Sequence, residues 1–383
     1  MDGQYLNERL KKIIENGLYR KLNVVEESTS NTIFINRKEY INFGSNDYFG
    51  ISKNYEVIQE GKEVLEEFGS NICSAQTLCG YSIYHKNLAE LLKNIFNVEM
   101  VNLFSSGYLA NLSIFQVFPN NDTEVFIDIY SHRSLIDGAR VAGVKLFFYR
   151  HLDYGMLRKL LLRSRARYKI IVSDSVFSME ATMVDLKEIL KIKEENGAYL
   201  ILDDAHGFMV LNNSIFDYYD VRIKDVENVI YIGTFSKAVG CLGGFLAGTE
   251  LLLELIKNRA STFLFDTSLP PHICAMAKKA LEILLREKGF LYVLQTNIEF
   301  INKMLNMNQK VPIFIKKFRN IKELNTAYEY LMENGLYVPA IKPPTVDEEH
   351  SRLRISLSAS HTHEQLKKLV NCLNGIGSLI CRD

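Results

Sequence analysis

Between residues 100 and 248 short apolar runs recur, most of them separated from the next by a longer segment of helical period. That alternation marks a mostly parallel sheet whose crossovers are helices packed on its faces. The runs predict strands near 100–104, 124–130, 144–149, 168–173, 198–203, 228–234 and 243–248, with helices over 85–96, 107–117, 133–141, 154–164 and 185–195. The last two strands leave no room for a helical crossover, so the final strand is expected to run antiparallel. Near residue 286 the pattern changes. A long helix leads to VPIFIKK, a helix over 320–334, LYVPAI, RLRISLS and a closing helix over 362–374, which reads as a smaller α+β domain. The expected organisation is an N-terminal helix and strand segment (1–45), a large α/β domain (46–285) and a small C-terminal domain (286–383).

Composition agrees with this architecture and narrows the partners. The chain has 383 residues, 47% of them hydrophobic, enough for a large core. Lys plus Arg (45) balances Asp plus Glu (45), so no bulk field draws it to nucleic acid or an anionic membrane, and any anion site is local. The start, MDGQYLNERLKKII, is amphipathic and charged, and no later run approaches the roughly 18 apolar residues of a membrane helix. A cytoplasmic chain without export or membrane span is expected. The cysteines Cys73, Cys79, Cys241, Cys274, Cys372 and Cys381 show neither a CxxC pair nor a zinc spacing, so reduced thiols and no metal are expected.

The ends of the strands carry the chemistry. One run ends in Asp203-Asp204-Ala205-His206 and the next in Thr234-Phe235-Ser236-Lys237. Open α/β sheets bind ligands at the carboxyl ends of their strands, so an amine and a carboxylate are offered to one site. A lysine beside hydroxyls and glycines suits Schiff-base chemistry. Pyridoxal phosphate needs such a lysine, and an acid to keep its ring nitrogen protonated; Asp203 or Asp204 can serve. Gly107 and Tyr108 follow a strand and open a helix, where free backbone amides can receive a phosphate. Arg352 and Arg354 alternate on one strand and therefore share a face, and a guanidinium suits a carboxylate.

An ordered series of motifs accompanies these residues: NFGSNDYFG, GYSIYHKNLAELL, LFSSGYLAN, SHRSLIDGAR, SVFSME, LDDAHG, TFSKAVG, TSLPP and RLRISLSASHT. Nearly end to end, the chain resembles the α-oxoamine synthases, pyridoxal-phosphate enzymes that condense an amino acid with an acyl thioester and release carbon dioxide. The resemblance implies an α/β fold-type I transferase with a mostly parallel seven-stranded sheet, pyridoxal 5'-phosphate as cofactor, and a homodimer with shared active sites. It makes Lys237 the Schiff-base lysine and the base that removes the substrate α-proton. It gives the ring nitrogen to Asp203, leaving Asp204 structural, and places His206 at the phenolic oxygen with Ser178 nearby. By the same resemblance His132 is expected to stack on the ring and contact substrate, where it could donate to the thioester oxygen. Gly107, Tyr108 and Thr234 hold the phosphate, which Thr267 and Ser268 reach from the neighbouring subunit.

On the substrate side, the resemblance gives the amino acid's carboxylate to Arg354, with Arg352 its close rival, and puts Thr345, Asn46, Tyr48 and Arg20 at the substrate mouth. AIKPPTV (340–346) ahead of RLR is similar to the branch that joins L-alanine to a pimeloyl thioester, on acyl carrier protein or coenzyme A, in biotin biosynthesis. Glycine with a shorter acyl-CoA, an aminotransferase or lyase, and a non-catalytic partner subunit are the alternatives. Retention of Lys237, Asp203, His206 and His132 opposes the last. Two departures stand out: a glycine-poor stretch from Gly69 to Gln76, and Asp266 where a small hydroxyl residue is common, its carboxylate expected to point to solvent.

Overall fold

The computed structural model describes residues 3–380, in two compact units. One runs from Phe49 to Leu291, and the other joins the residues up to Tyr48 with those from Tyr292 onward. Met1, Asp2 and Cys381 lie outside the described residues. The five described cysteines are free thiols, and no helix among the described residues is long and apolar enough to cross a membrane.

The Phe49–Leu291 unit is built on a seven-stranded sheet. Its order is Met100–Phe104, Gly244–Gly248, Val229–Thr234, Tyr199–Asp203, Tyr168–Asp174, Thr123–Asp128 and Lys145–Tyr149. The last five of these run parallel, and Gly244–Gly248 is antiparallel to both of its neighbours, as the short lysine loop requires. Consecutive residues such as Ile170, Ile171 and Val172, or Leu200, Ile201 and Leu202, are fully buried. Burial without alternation means that both faces of the sheet are covered.

The covering helices begin where short polar side chains can accept from free amides. Asn54 caps Tyr55–Phe68, Ser82 and His85 form a capping box on Ile83–Phe96, and Ser106, His132, Asp153 and Asp185 cap the helices after the next strands. The helix expected over 107–117 is α-helical only for Gly107–Ile114 and tightens to a 3-10 turn over Phe115–Val117. Three helices longer than one turn have no counterpart in the sequence reading, Tyr55–Phe68, Glu250–Arg259 and Pro271–Arg286, the first and last packed together, and neither do the single turns Ile215–Tyr218 and Ser261–Leu264.

The second unit holds two small sheets. Glu27–Ser28, Thr32–Ile35 and Lys38–Asn42 form an antiparallel meander joined in parallel by Leu336–Tyr337. Ile313–Lys317 and Ala340–Ile341 flank Arg352–Ser356, both antiparallel to it. LYVPAI thus divides between two sheets at Val338-Pro339, where proline has no amide to continue a ladder.

Candidate active site

Three neighbouring parallel strands each end in an aspartate: Asp128, Asp174 and Asp203. Asp203 lies in register with Asp174, and its strand neighbours the one that ends at Thr234 and leads to Lys237. A cavity of about 240 Å³ opens here, lined by Asp203, Lys237, His132, His206, Gly107, Tyr108 and Thr234, and by Ser106, Asn111, Asp174 and Ser236. Seven of the ten residues expected to bind the cofactor therefore meet around one space. Ser178, Thr267 and Ser268 are not among its lining residues.

Asp203 Oδ1 accepts the Ala205 amide at 3.0 Å and Oδ2 accepts Asn111 Nδ2 at 2.7 Å. Those two bonds, one to each oxygen, fix the carboxylate's plane. Asp204, the next residue, does not line the cavity; it accepts from the Ile215 amide (2.9 Å), the Tyr231 hydroxyl (2.8 Å) and the Ser175 hydroxyl. Burial raises its carboxyl to about 7 against those stabilising bonds. Its work is to tie the loop after the strand.

Asp174 escaped the sequence reading, although it immediately precedes SVFSME at a strand end. It accepts the His132 backbone amide at 3.1 Å, and burial followed by the charge on Asp203 pushes its carboxyl well above the usual range. The buried Asp174 carboxyl therefore favours its protonated form. Burial chiefly depresses His132, assisted by Lys237 and opposed by Asp203, so its imidazole is neutral near pH 7. Asp128 is fully buried and anchors a loop instead, accepting from the Tyr130 and Leu152 amides and facing His151 Nδ1 at 3.0 Å.

Ser106, capping Gly107–Ile114 through the Leu109 amide, begins the turn expected to receive the phosphate. A methyl group on Gly244 would lie 2.6 Å from Gly107 N and Cα, so only glycine lets that strand pass so close beneath the turn. The Thr234 hydroxyl donates toward the Gly243 carbonyl at 2.8 Å and lies 2.8 Å from Ser236 Oγ. Ser236, a second hydroxyl on the cavity, was not singled out from sequence. Tyr108 donates to Asp137 at 2.8 Å. The Asp266 carboxylate, expected to face solvent, instead accepts from the Ser105 hydroxyl. A hydroxyl beside it offers a better partner than water.

In the other unit, Asn46, Tyr48 and Arg354 come together. Arg354 is buried and its Nη1 donates to Asn46 Oδ1 (3.0 Å) and Ser356 Oγ (2.8 Å), while the Tyr48 hydroxyl reaches Asn46 Oδ1 at 3.4 Å. Burial raises the Tyr48 phenol, with Arg354 partly offsetting it. Arg352, also buried, donates through Nε to the His350 carbonyl at 2.7 Å. Thr345 is exposed on the 342–345 turn, and Arg20 Nη2 donates to the Pro343 carbonyl of that turn at 2.6 Å.

These groups fit pyridoxal phosphate: an oriented carboxylate for a pyridinium, an amine for an aldehyde, and a helix N-terminus with hydroxyls for a phosphate. The sequence model of aminotransferase class I and II matches residues 38–373. The chain belongs to that family. Among the family's members it is 33% identical to a putative 8-amino-7-oxononanoate synthase of Thermodesulfovibrio yellowstonii over 383 residues, 98% of each chain. It is 32% identical to 8-amino-7-oxononanoate synthase 2 of Bacillus subtilis, over 97% of each chain. A solved structure of SPT with PLP superposes with a TM-score of 0.91 at 25% identity, covering 98% of this chain and 97% of that one. The fold is thus the fold-type I transferase fold of this aminotransferase family, and the protein is a pyridoxal-phosphate-dependent enzyme.

Proposed function

We propose that this protein is an acyltransferase that condenses L-alanine with a pimeloyl thioester, releasing carbon dioxide, the free thiol carrier and 8-amino-7-oxononanoate, a step of biotin biosynthesis. The observation that carries the reading is the cavity where Lys237, Asp203, His132 and His206 converge, in a chain about a third identical, over nearly its full length, to relatives bearing that synthase name. When bound, pyridoxal phosphate supplies an electron sink for the bond broken at the substrate's α-carbon.

The chain's own groups do the rest. Asp203, its carboxylate oriented by Ala205 and Asn111, would hold the ring nitrogen's proton in place. Lys237 takes the α-proton and later returns it. Neutral His132 contacts the substrate and donates to the acyl oxygen as charge develops there, and His206 supports the phenolic oxygen. Gly107, Tyr108 and Thr234 hold the phosphate. Arg354, steadied by Asn46 and Ser356, orients the amino acid's carboxylate, and Tyr48, Thr345 and Arg20 flank the acyl chain. Thr267 and Ser268, absent from their own chain's cavity lining, serve the phosphate of a second copy in a homodimer.

The test is a substrate panel with the purified holoenzyme. L-Alanine with pimeloyl-CoA or pimeloyl acyl carrier protein should release carbon dioxide and thiol in equal amounts and yield a product with the mass of 8-amino-7-oxononanoate. Turnover restricted to glycine with acetyl-CoA, or to L-serine with palmitoyl-CoA, would overturn the substrate assignment and keep the reaction class.

A further inference from the structure

A chain of hydrogen bonds runs from Asp203 to His132 through two buried residues that the proposed chemistry does not use. Asn111 Nδ2 lies 2.7 Å from Asp203 Oδ2 and 2.8 Å from Ser134 Oγ. Ser134 Oγ lies 2.6 Å from His132 Nδ1, and the Ser134 backbone amide is 3.4 Å from the same nitrogen. Asn111 is almost fully buried and Ser134 completely so, which excludes water as a competing partner.

The direction of every bond follows from the groups. A primary amide nitrogen carries two protons and only donates, and here both protons are engaged. Turning the amide over would set its oxygen against a carboxylate oxygen, two acceptors facing each other. Ser134 Oγ therefore accepts from Asn111, and its one proton is left for His132 Nδ1. The Ser134 backbone amide, also only a donor, points at that nitrogen as well. An imidazole nitrogen that faces two donors carries no proton, so the neutral ring holds its proton on the other nitrogen.

We propose that Asn111 and Ser134 are positioning residues that lock His132 as its Nε2–H tautomer, making it a hydrogen-bond donor, and not a base, toward the substrate. The charge on Asp203 starts the sequence of donors and so sets the state of a histidine it does not touch. Burial, which favours the neutral ring, acts in the same direction. The inference rests on the cofactor site proposed above but not on the choice of amino acid or acyl donor.

Long-range proton–nitrogen correlation spectra of the full chain, labelled with ¹⁵N at histidine and free of cofactor, test it directly. His132 is assigned by its loss in His132→Asn. The expected result is one Nε2–H pattern for His132 across the neutral pH range, replaced by a mixture of tautomers in Ser134→Ala and in Asn111→Ala. Unchanged signals from buried His85 and His361 would show that both variants remain folded. An Nδ1–H pattern in the parent overturns the proposal, and so does a single Nε2–H pattern surviving in both folded variants. Because no substrate is present, failure of the acyl-donor assignment leaves this readout untouched.

Discussion

Asp203 and Asp204 are adjacent in the chain, yet only Asp203 lines the cavity while Asp204 is enclosed by Ile215, Tyr231 and Ser175. Asp204 follows directly on the strand and its amide still donates to the Ile232 carbonyl, so the alternation of side chains along extended backbone separates their tasks. Asp203→Asn should lower turnover roughly 10²-fold or more while the fold persists, since it removes the carboxylate proposed to face the ring nitrogen. Asp204→Asn should leave cofactor absorption in place and cost about 1–3 kcal/mol in urea unfolding, the usual penalty for disturbing a buried hydrogen-bonded group. Arginine gives a similar contrast. Arg354→Ala is expected to raise the KM for the amino acid by roughly 10- to 100-fold, as loss of a charge-assisted clamp does, whereas Arg352→Ala, which frees the His350 carbonyl, should lower the melting temperature without that KM change. Lys237 and Asp203 were legible as candidates because successive apolar runs end in a carboxylate pair and an amine beside hydroxyls. Asp174, Asn111 and Ser134 were not singled out, because a serine, an asparagine or a strand-end aspartate acquires a role only from what faces it.

The elements of the large sheet were readable because each strand is a short β-rich run bounded by polar turns, and the lysine loop is too short for a crossover. The structure returns all seven strands, including the antiparallel one. LYVPAI was less legible: nothing local to the run says that its halves pair with Lys38–Asn42 and with Arg352–Ser356. The Phe115–Val117 turn is similar, since periodicity does not distinguish a tightening last turn from continued helix. The contact of Gly244 beneath Gly107 belongs to this scale because it sets one element against another. Gly244→Ala must separate the strand from the turn, and is expected to weaken cofactor binding at least tenfold in a titration followed by absorbance. Affinity equal to that of the parent would show that the turn tolerates the displacement.

Each of the two units encloses one strongly depressed histidine. Burial holds His85, in the Phe49–Leu291 unit, and His361, in the other, down at about 4. Above the ordinary value of 6.5 neither folded nor unfolded chain protonates these rings, and their cost to stability is nil. As pH falls below it, the unfolded chain takes up protons that the folded chain refuses, so stability is lost progressively until about pH 4. The loss is on the order of 3 kcal/mol per ring. Thermal unfolding measured from neutral to acid pH should show this decline in both units, and His361→Asn should flatten part of it.

The antiparallel strand has a kinetic consequence for the molecule as a whole. Gly244–Gly248 closes onto Val229–Thr234 through a short loop, so the segment bearing Lys237 can form by local contact alone, at little entropic cost. Its other edge must await Met100–Phe104, a partner from far upstream in sequence, and only that late encounter brings the Ser106–Gly107 turn over Gly244. The amine is thus expected to be in place before the turn proposed to cradle the phosphate, so that phosphate affinity should appear only as the sheet is completed.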